Sequence, residues 1–305
     1  MTPFAFIIHP IHARDASRKY PFMKFLPEGI IERLMTKLKP AVASHITGVT
    51  SLTGQKTEGW FIGLPMTPRM MLANPELSLE KLQVCTELAK AEGAKLIGLG
   101  AFTAIVGDGG VSLSKLTSLG VTTGNSYTVA TAIEGALDAA SRVGIIPDES
   151  CLGVVGATGS IGQTCARVLA PQFARTLLIG RDLARTEAAG AGLPRCESTT
   201  EVSRLTDCDL VITVTSSDNA IIEPRHLKAG SVVCDVSRPR DVSIRVVRER
   251  PDVLVIEGGV IDVPGPVEFG IDFGFPPRTA YACMSETMLL ALEGRTDHYT
   301  LGKNV

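Results

Sequence analysis

The stretch CLGVVGATGSIGQTCARVLAPQFARTLLIGRD, residues 151–182, decides the fold. An apolar run at 152–155 meets the glycine turn GATGSIG at 156–162. A helical pattern then runs to Leu169, and a second apolar run at 176–179 ends at Gly180 and Arg181. Strand, glycine turn, helix and strand in that order make a dinucleotide-binding βαβ unit. Gly156 permits the tight turn, Gly159 lets backbone approach a pyrophosphate, and Gly162 lets helix and strand pack closely. Thr158, Ser160 and Ile161 lie between them, where N–H groups at a helix start attract phosphate. The spacing is GxxGxxG rather than GxGxxG, so the two flanking strand patterns carry the assignment. A glycine-rich turn without a ligand is the bland alternative.

The second strand selects the nucleotide. An NAD site places Asp or Glu about 20 residues beyond the fingerprint, on the ribose hydroxyls. Here Arg181 stands at that place and Arg185 follows one helical turn later. A guanidinium bonds and neutralises a 2′-phosphate at once, so the expected cofactor is NADPH. Asp182 beside it, and an Arg181 that merely caps the surface, are the competing readings.

Length and composition limit the rest. The chain has 305 residues, enough for two domains, and 30 glycines suit many strand-to-helix turns. A formal charge of −2 offers no basic footprint for nucleic acid and no polybasic membrane signal. No apolar run reaches the roughly 18 residues of a membrane span. The start MTPFAFIIHP lacks the pattern of a signal peptide, so a cytoplasmic enzyme is expected, with a homo-oligomer compatible. Seven cysteines without a CxxC pair suggest neither a disulfide framework nor a zinc site, and no metal is expected.

Along the chain, residues 4–8 read as a first strand ending at His9. Helical spacing follows at 13–25, an amphipathic helix after Pro27, and a strand pair at 44–51 and 58–64. A Met-rich connection, a helix at 78–92 and a strand at 96–102 come next. The polar cluster VTTGNSYT at 121–128 opens a helix over roughly 127–143. Asn125 and Ser126 there are either good helix caps or donors facing a reacting carbonyl. Strands at 209–214, 231–236 and 253–256 end in small or polar residues, as a doubly wound sheet presents to a cofactor. Thr215, Ser216, Gly258 and Gly259 are therefore candidate neighbours of the ribose and nicotinamide. The expectation is an α/β chain: a substrate domain at 1–127, an NADP-binding Rossmann domain at 128–278, and a loose tail at 295–305. The last helix, 279–294, returns to the first domain, with the site in the cleft between the halves. Cys283 falls in that helix's first turn or two, where the dipole favours a thiolate.

The chain resembles the long-chain acyl-[acyl-carrier-protein] reductases, which form fatty aldehydes. The resemblance rests on SLTGQKTEG at 51–59, GLGAFTAIV at 98–106, TTGN at 122–125, the glycine turn, GGV at 258–260 and Ala282-Cys283. It covers most of the chain from about 45 to 294 and is thin before that. It implies that Cys283 takes the acyl group as a thioester from an acyl-carrier protein or acyl-CoA. NADPH then reduces that thioester to the aldehyde, with Asn125 and Ser126 as candidate oxyanion donors. Phe102, Ile105, Met66, Met70 and Met71 are candidate walls of an acyl channel, or ordinary core. The chain ends eleven residues after Gly294, sooner than cyanobacterial members, which leaves acyl length and carrier docking open. A shikimate-dehydrogenase-like NADP enzyme is the alternative, since the nucleotide half is similar to that family too. A nucleotide-binding regulator without catalysis is the alternative from another class.

Overall fold

Strand β1 (Phe4–Ile8) is apolar on both faces, as a strand inside a covered parallel sheet must be. The computed structural model describes every residue except Lys19, Ala101, Val106, Gly107, Phe273, Phe275 and Asn304. Of the described residues, the side chains of Arg18 and Ile105 are left aside. Ile105 as a channel wall, Ala101 and Val106 in the resembling stretch, and Phe275 before the last helix thus lie outside what is described. Two units form: residues Met1–Gly124 with Ile261–Asn304, and residues Asn125–Val260 with Val305.

In the first unit β2 (Ala41–Thr50) pairs antiparallel with β3 (Lys56–Gly63), which runs parallel to β1. Strands β4 (Leu96–Leu99) and β5 (Gly120–Thr122) continue the sheet, giving the order β2-β3-β1-β4-β5. The expected hairpin turn closes through Ser51, whose Oγ accepts from Gln55 N–H at 3.0 Å. Helix α1 (Glu28–Lys37) buries Ile31 and Met35. The Met-rich connection contains a short helix, α2 (Pro68–Ala73), capped by Thr67. Helix α3 (Pro75–Ala91) starts earlier than expected because Asn74 caps it and Pro75 suits the first helical position. Short helices α4 (Phe102–Ile105) and α5 (Val111–Ser114) link β4 to β5. The segment 13–25 is two 3-10 helices, Ala13–Arg18 and Pro21–Phe25, rather than one helix. Pro21 cannot donate to a continuous helix.

The second unit opens with α6 (Asn125–Arg142) and continues through β6 (Cys151–Val155), α7 (Ser160–Leu169), β7 (Arg175–Ile179) and α8 (Leu183–Gly190). Strands β8 (Cys196–Thr199), β9 (Leu210–Thr213) and β10 (Val232–Asp235) follow, then α9 (Ile244–Glu249) and β11 (Leu254–Glu257). All six strands are parallel in the order β8-β7-β6-β9-β10-β11, the doubly wound dinucleotide arrangement.

The chain then re-enters the first unit. Glu268 bridges to Thr47, so residues 261–278 group with the first unit rather than with the nucleotide unit. Strands β12 (Val260–Asp262) and β13 (Thr279–Tyr281) pair, and α10 (Ala282–Leu292) begins only after β13. Helix α10 packs on β1, β3 and β4, burying Met284, Met288 and Ala291 with Phe4, Phe6 and Phe61. The tail after it is not loose, contrary to the sequence expectation. Tyr299 N–H donates to Val121 O at 3.1 Å, Gly302 N–H donates to Gly109 O at 2.9 Å, and Thr300 is buried.

Gly98 lets α10 reach the sheet: a Cβ there would stand 2.1 Å from Thr287 Oγ1 and 2.5 Å from the Phe6 ring. Gly98→Ala should therefore lower the unfolding free energy by about 1–3 kcal/mol in urea denaturation. An unchanged midpoint would show that the helix can move away at no cost.

Candidate functional site

The fingerprint glycines of the second unit have three separate physical reasons. Gly156 has φ +83°, and a Cβ there would lie 2.2 Å from the Val214 carbonyl oxygen at the end of β9. A Cβ on Gly162 would lie 2.5 Å from Gly156 O, so helix and strand could not pack as they do. Gly159 is exposed and meets only Gly156 O at 3.4 Å, leaving its outer side open. Ser160 opens α7 and accepts from Asn125 Nδ2 at 3.1 Å, while Thr158 and Ile161 are half-buried. Asn125 is thus the first residue of α6 and is bonded to the first residue of α7.

Beyond β7, Asp182 caps α8, accepting from Arg185 N–H at 2.9 Å. That carboxylate has a structural task, whereas Arg181 and Arg185 are exposed. At the ends of β9 and β10 a buried network appears that sequence reading missed. Asp241, fully buried, accepts from Thr213 Oγ1 at 2.6 Å, Thr215 N–H at 3.0 Å, Thr215 Oγ1 at 2.5 Å and Ser237 Oγ. The Thr215 hydroxyl is therefore committed to Asp241 and its N–H is shared between Ser237 Oγ at 2.8 Å and Asp241, while Ser216 is exposed. Asp235 accepts from Ser237 N–H and Val242 N–H, each at 3.0 Å, and burial pushes its pKa up to about 6. Gly258 is a packing glycine, since a Cβ there would meet Cys234 Sγ at 2.3 Å; Gly259 is buried beside it.

In the first unit the carboxyl ends of the strands carry the second group. Cys283 is the second residue of α10 and half-buried. Gly124, φ +78°, follows β5 and presses on it: a Cβ on Gly124 would lie 2.3 Å from Cys283 Cα. Glu286, buried one turn further along α10, was not singled out in the sequence. Its carboxylate accepts from Thr122 Oγ1 and, at 2.9 Å, from Thr300 Oγ1. Thr123 N–H donates to Thr300 O at 3.0 Å, so the turn 122–124 is fastened to helix and tail together. Thr123 Oγ1 is buried with no hydrogen-bond partner among the described residues. His9, after β1, sets its ring edge-on to Phe102 at 6.4 Å, and burial pushes its pKa down. An isolated His at a strand end gave no signal in the sequence.

Met66, Met70, Met71 and Phe102 all lie in the core of the first unit. That is the core-filling reading for these four of the five suggested channel walls. Lys81 is buried, but its ammonium donates to Leu38 O at 2.5 Å, closing the end of α1 rather than facing a strand end. Among the described residues no group of three His, Cys, Asp or Glu could hold a metal ion, and no helix is long and apolar enough to cross a membrane.

Comparison with known proteins bears on the two units differently. Residues 139–257 match the shikimate / quinate 5-dehydrogenase family model, a match confined to the nucleotide unit. The chain is 27% identical over 308 residues to a long-chain acyl-[acyl-carrier-protein] reductase of Synechococcus elongatus, covering 96% of this chain and 89% of that protein. It is 31% identical over 265 residues to the aminotransferase PigE of a Serratia species, covering 84% of this chain but spanning only 31% of that protein. Among solved structures, L-tryptophan dehydrogenase of Nostoc punctiforme aligns at 12% identity with a TM-score of 0.43, over 84% of this chain and 70% of that one. The strand order, the glycine turn and these sequence likenesses support an NAD(P)-dependent oxidoreductase of the dehydrogenase/reductase type.

The raised pKa of Asp235 has a definite sign in stability. The folded protein holds this proton more tightly than the unfolded chain, whose Asp titrates near 3.8. Stability from this group is therefore present at low pH and lost as pH rises towards 6, on the order of 3 kcal/mol. In urea denaturation, the stability of Asp235→Asn relative to wild type should rise across pH 4 to 6.5. A difference that stays flat over that window would remove the buried-carboxylate explanation.

Proposed function

We propose that this protein reduces an acyl thioester, carried by acyl-carrier protein or coenzyme A, to an aldehyde with NADPH. The carrying observation is Cys283 in the first turn of α10, held against the Gly124 turn at the carboxyl edge of the first sheet. The similarity along nearly the full length of an acyl-[acyl-carrier-protein] reductase supports the same reading.

The residues present fit the cofactor. Gly159 leaves an open approach, α7 offers its N-terminal end to phosphate, and Arg181 and Arg185 suit a 2′-phosphate while Asp182 is occupied as a cap. When bound, NADPH supplies a hydride. Thr158, Ser160 and Ile161 would hold the pyrophosphate, with Ser216 and the backbone of Thr215, Gly258 and Gly259 near the ribose and nicotinamide.

The protein's part in the chemistry is nucleophilic. Cys283 Sγ attacks the carbonyl carbon, forming a new C–S bond as the carrier's C–S bond breaks and its thiolate leaves. The positive end of the α10 dipole favours the charged sulfur. After reduction the Cys283 C–S bond breaks, releasing the aldehyde and regenerating the thiolate. Asn125 and Ser126 are candidate donors to the oxyanion; an amide nitrogen has two hydrogens, and Ser160 takes one from Asn125. Thr123 Oγ1 is a further candidate, adjacent to the Gly124 turn.

Incubating the protein with a labelled acyl thioester and no NADPH, then mapping the label by mass spectrometry, tests the covalent step. Acyl on Cys283, and aldehyde output at background in Cys283→Ala with NADPH binding kept, are the expected results; aldehyde made by that variant would reject the nucleophile. Arg181→Ala should raise the KM for NADPH roughly tenfold to a hundredfold, the loss of a charged hydrogen bond, while NADH use is little changed. Equal loss with both nucleotides would exclude a 2′-phosphate contact.

A further inference from the structure

Two thiols at the amino ends of β6 and β9 take no part in the chemistry above. Cys151 opens β6, and Cys208 stands two residues before β9. Their Sγ atoms are 3.7 Å apart. The strands are parallel neighbours with Leu152 opposite Leu210, and Asp209 N–H donates to Cys151 O at 2.9 Å. Strands about 4.8 Å apart with a rise of about 3.3 Å per residue put the two Cα atoms roughly 6 Å apart. That separation is one a disulfide spans. Gly153 makes room for the second sulfur, since a Cβ there would lie 2.9 Å from Cys208 Sγ.

The charges around the pair divide the roles. The hydrogen bond with Cys208 and the Arg175 guanidinium lower the pKa of Cys151 against its own burial, while the same pairing and burial raise that of Cys208. Asp209 opposes this on the Cys151 side, but its carboxylate is paired with Lys228 at 2.6 Å; Asp207 acts against Cys208. Of the two sulfurs, Cys151 is the one whose surroundings favour the thiolate, and Cys208 the one that keeps its proton more tightly.

We propose that Cys151 and Cys208 form an oxidative modification site that takes a small hydroperoxide and closes to an intrachain disulfide. The Cys151 thiolate attacks the distal peroxide oxygen; an S–O bond forms, the O–O bond breaks, and the peroxide leaves as an alcohol or water after taking up a proton. Cys208 then attacks the sulfenic sulfur. An S–S bond forms, the S–O bond breaks, and hydroxide leaves as water with the Cys208 proton. Two electrons pass from the two sulfurs to one peroxide. Cys151 is only 5% exposed and Cys208 not at all, so a bulky disulfide oxidant cannot enter where hydrogen peroxide can.

The test treats the full chain with stepped hydrogen peroxide, blocks remaining thiols with N-ethylmaleimide under denaturing conditions, and maps peptides. The expected product joins the Cys151 and Cys208 peptides, returns to two maleimide-labelled thiols after dithiothreitol, and raises Tm. Cys208→Ser should stop at a sulfenic acid on Cys151 that dimedone traps, and Cys151→Ser should leave Cys208 reduced. The half-buried Cys196 and Cys283 are internal references. Oxidation of those two while Cys151 and Cys208 stay reduced, or either thiol pairing elsewhere, overturns the proposal from the wild-type protein alone. The result is independent of whether Cys283 accepts an acyl group.

Discussion

Backbone meeting backbone with no Cβ between them is the constraint on which both candidate sites depend. In the second unit the Gly156 turn lies on the end of β9, and Gly162 lies on Gly156. In the first, Gly124 lies on the backbone of Cys283. Each contact is closer than a real Cβ permits, and Gly156 and Gly124 also have positive φ, where L residues are strained. At Gly156, Gly162 and Gly124 a strand end meets a helix start with no side chain between them. Helix starts are also where N–H groups converge without intrahelical partners. Fold and chemistry share the same few positions for that reason.

Two buried carboxylates hold the loops that these approaches create. Removing a charge from water is costly unless hydrogen bonds replace the lost hydration. Asp241 meets that condition with four donors and ties the end of β9 to the loop after β10. Glu286 does the same for the turn after β5, joining it to α10 and to the tail through two threonine hydroxyls. Arg238 and Arg240 add a strap from the β10 loop to Glu257 at the end of β11. Buried carboxylates with several donors favour one loop geometry over others, because any alternative strands either the charge or the donors.

The fold was legible where local pattern and glycine chemistry coincided. Residues 151–182 announced their βαβ unit, and the central strands β1, β9 and β10 showed as apolar runs because both faces are covered. Strands β5 and β8 were not legible: they are three and four residues long, and CEST at 196–199 carries no apolar pattern. The tail was misread for a related reason. Its residues are held by hydrogen bonds to Val121, Gly109 and Glu286, and pairing of that kind leaves no periodicity. Nothing local in the sequence marks Glu286 or Asp241 as buried, since a carboxylate's burial is decided by threonines elsewhere in the chain. At 283 the sequence supplied the residue and the helix; the Gly124 contact that pins it comes from residues about 160 positions away.

The cysteines show why residue type alone could not sort chemistry from core. Cys85, Cys165 and Cys234 sit in apolar layers, and burial pushes each thiol up to about 12, so they stay protonated and inert. Cys151 is buried less completely and has Arg175 and a second thiol beside it, and its pKa moves the other way. Cys283 lies at a helix start beside a glycine turn and is only half-buried. In the sequence most of the seven stand within apolar patterns, and nothing local tells them apart. Cys151 differs from the three inert thiols by Arg175, which comes from the neighbouring strand β7, and Cys283 differs by its place at the start of α10. Burial between the sheet edges thus keeps Cys85, Cys165 and Cys234 silent, whereas Cys151 and Cys283 stand at the starts of β6 and α10.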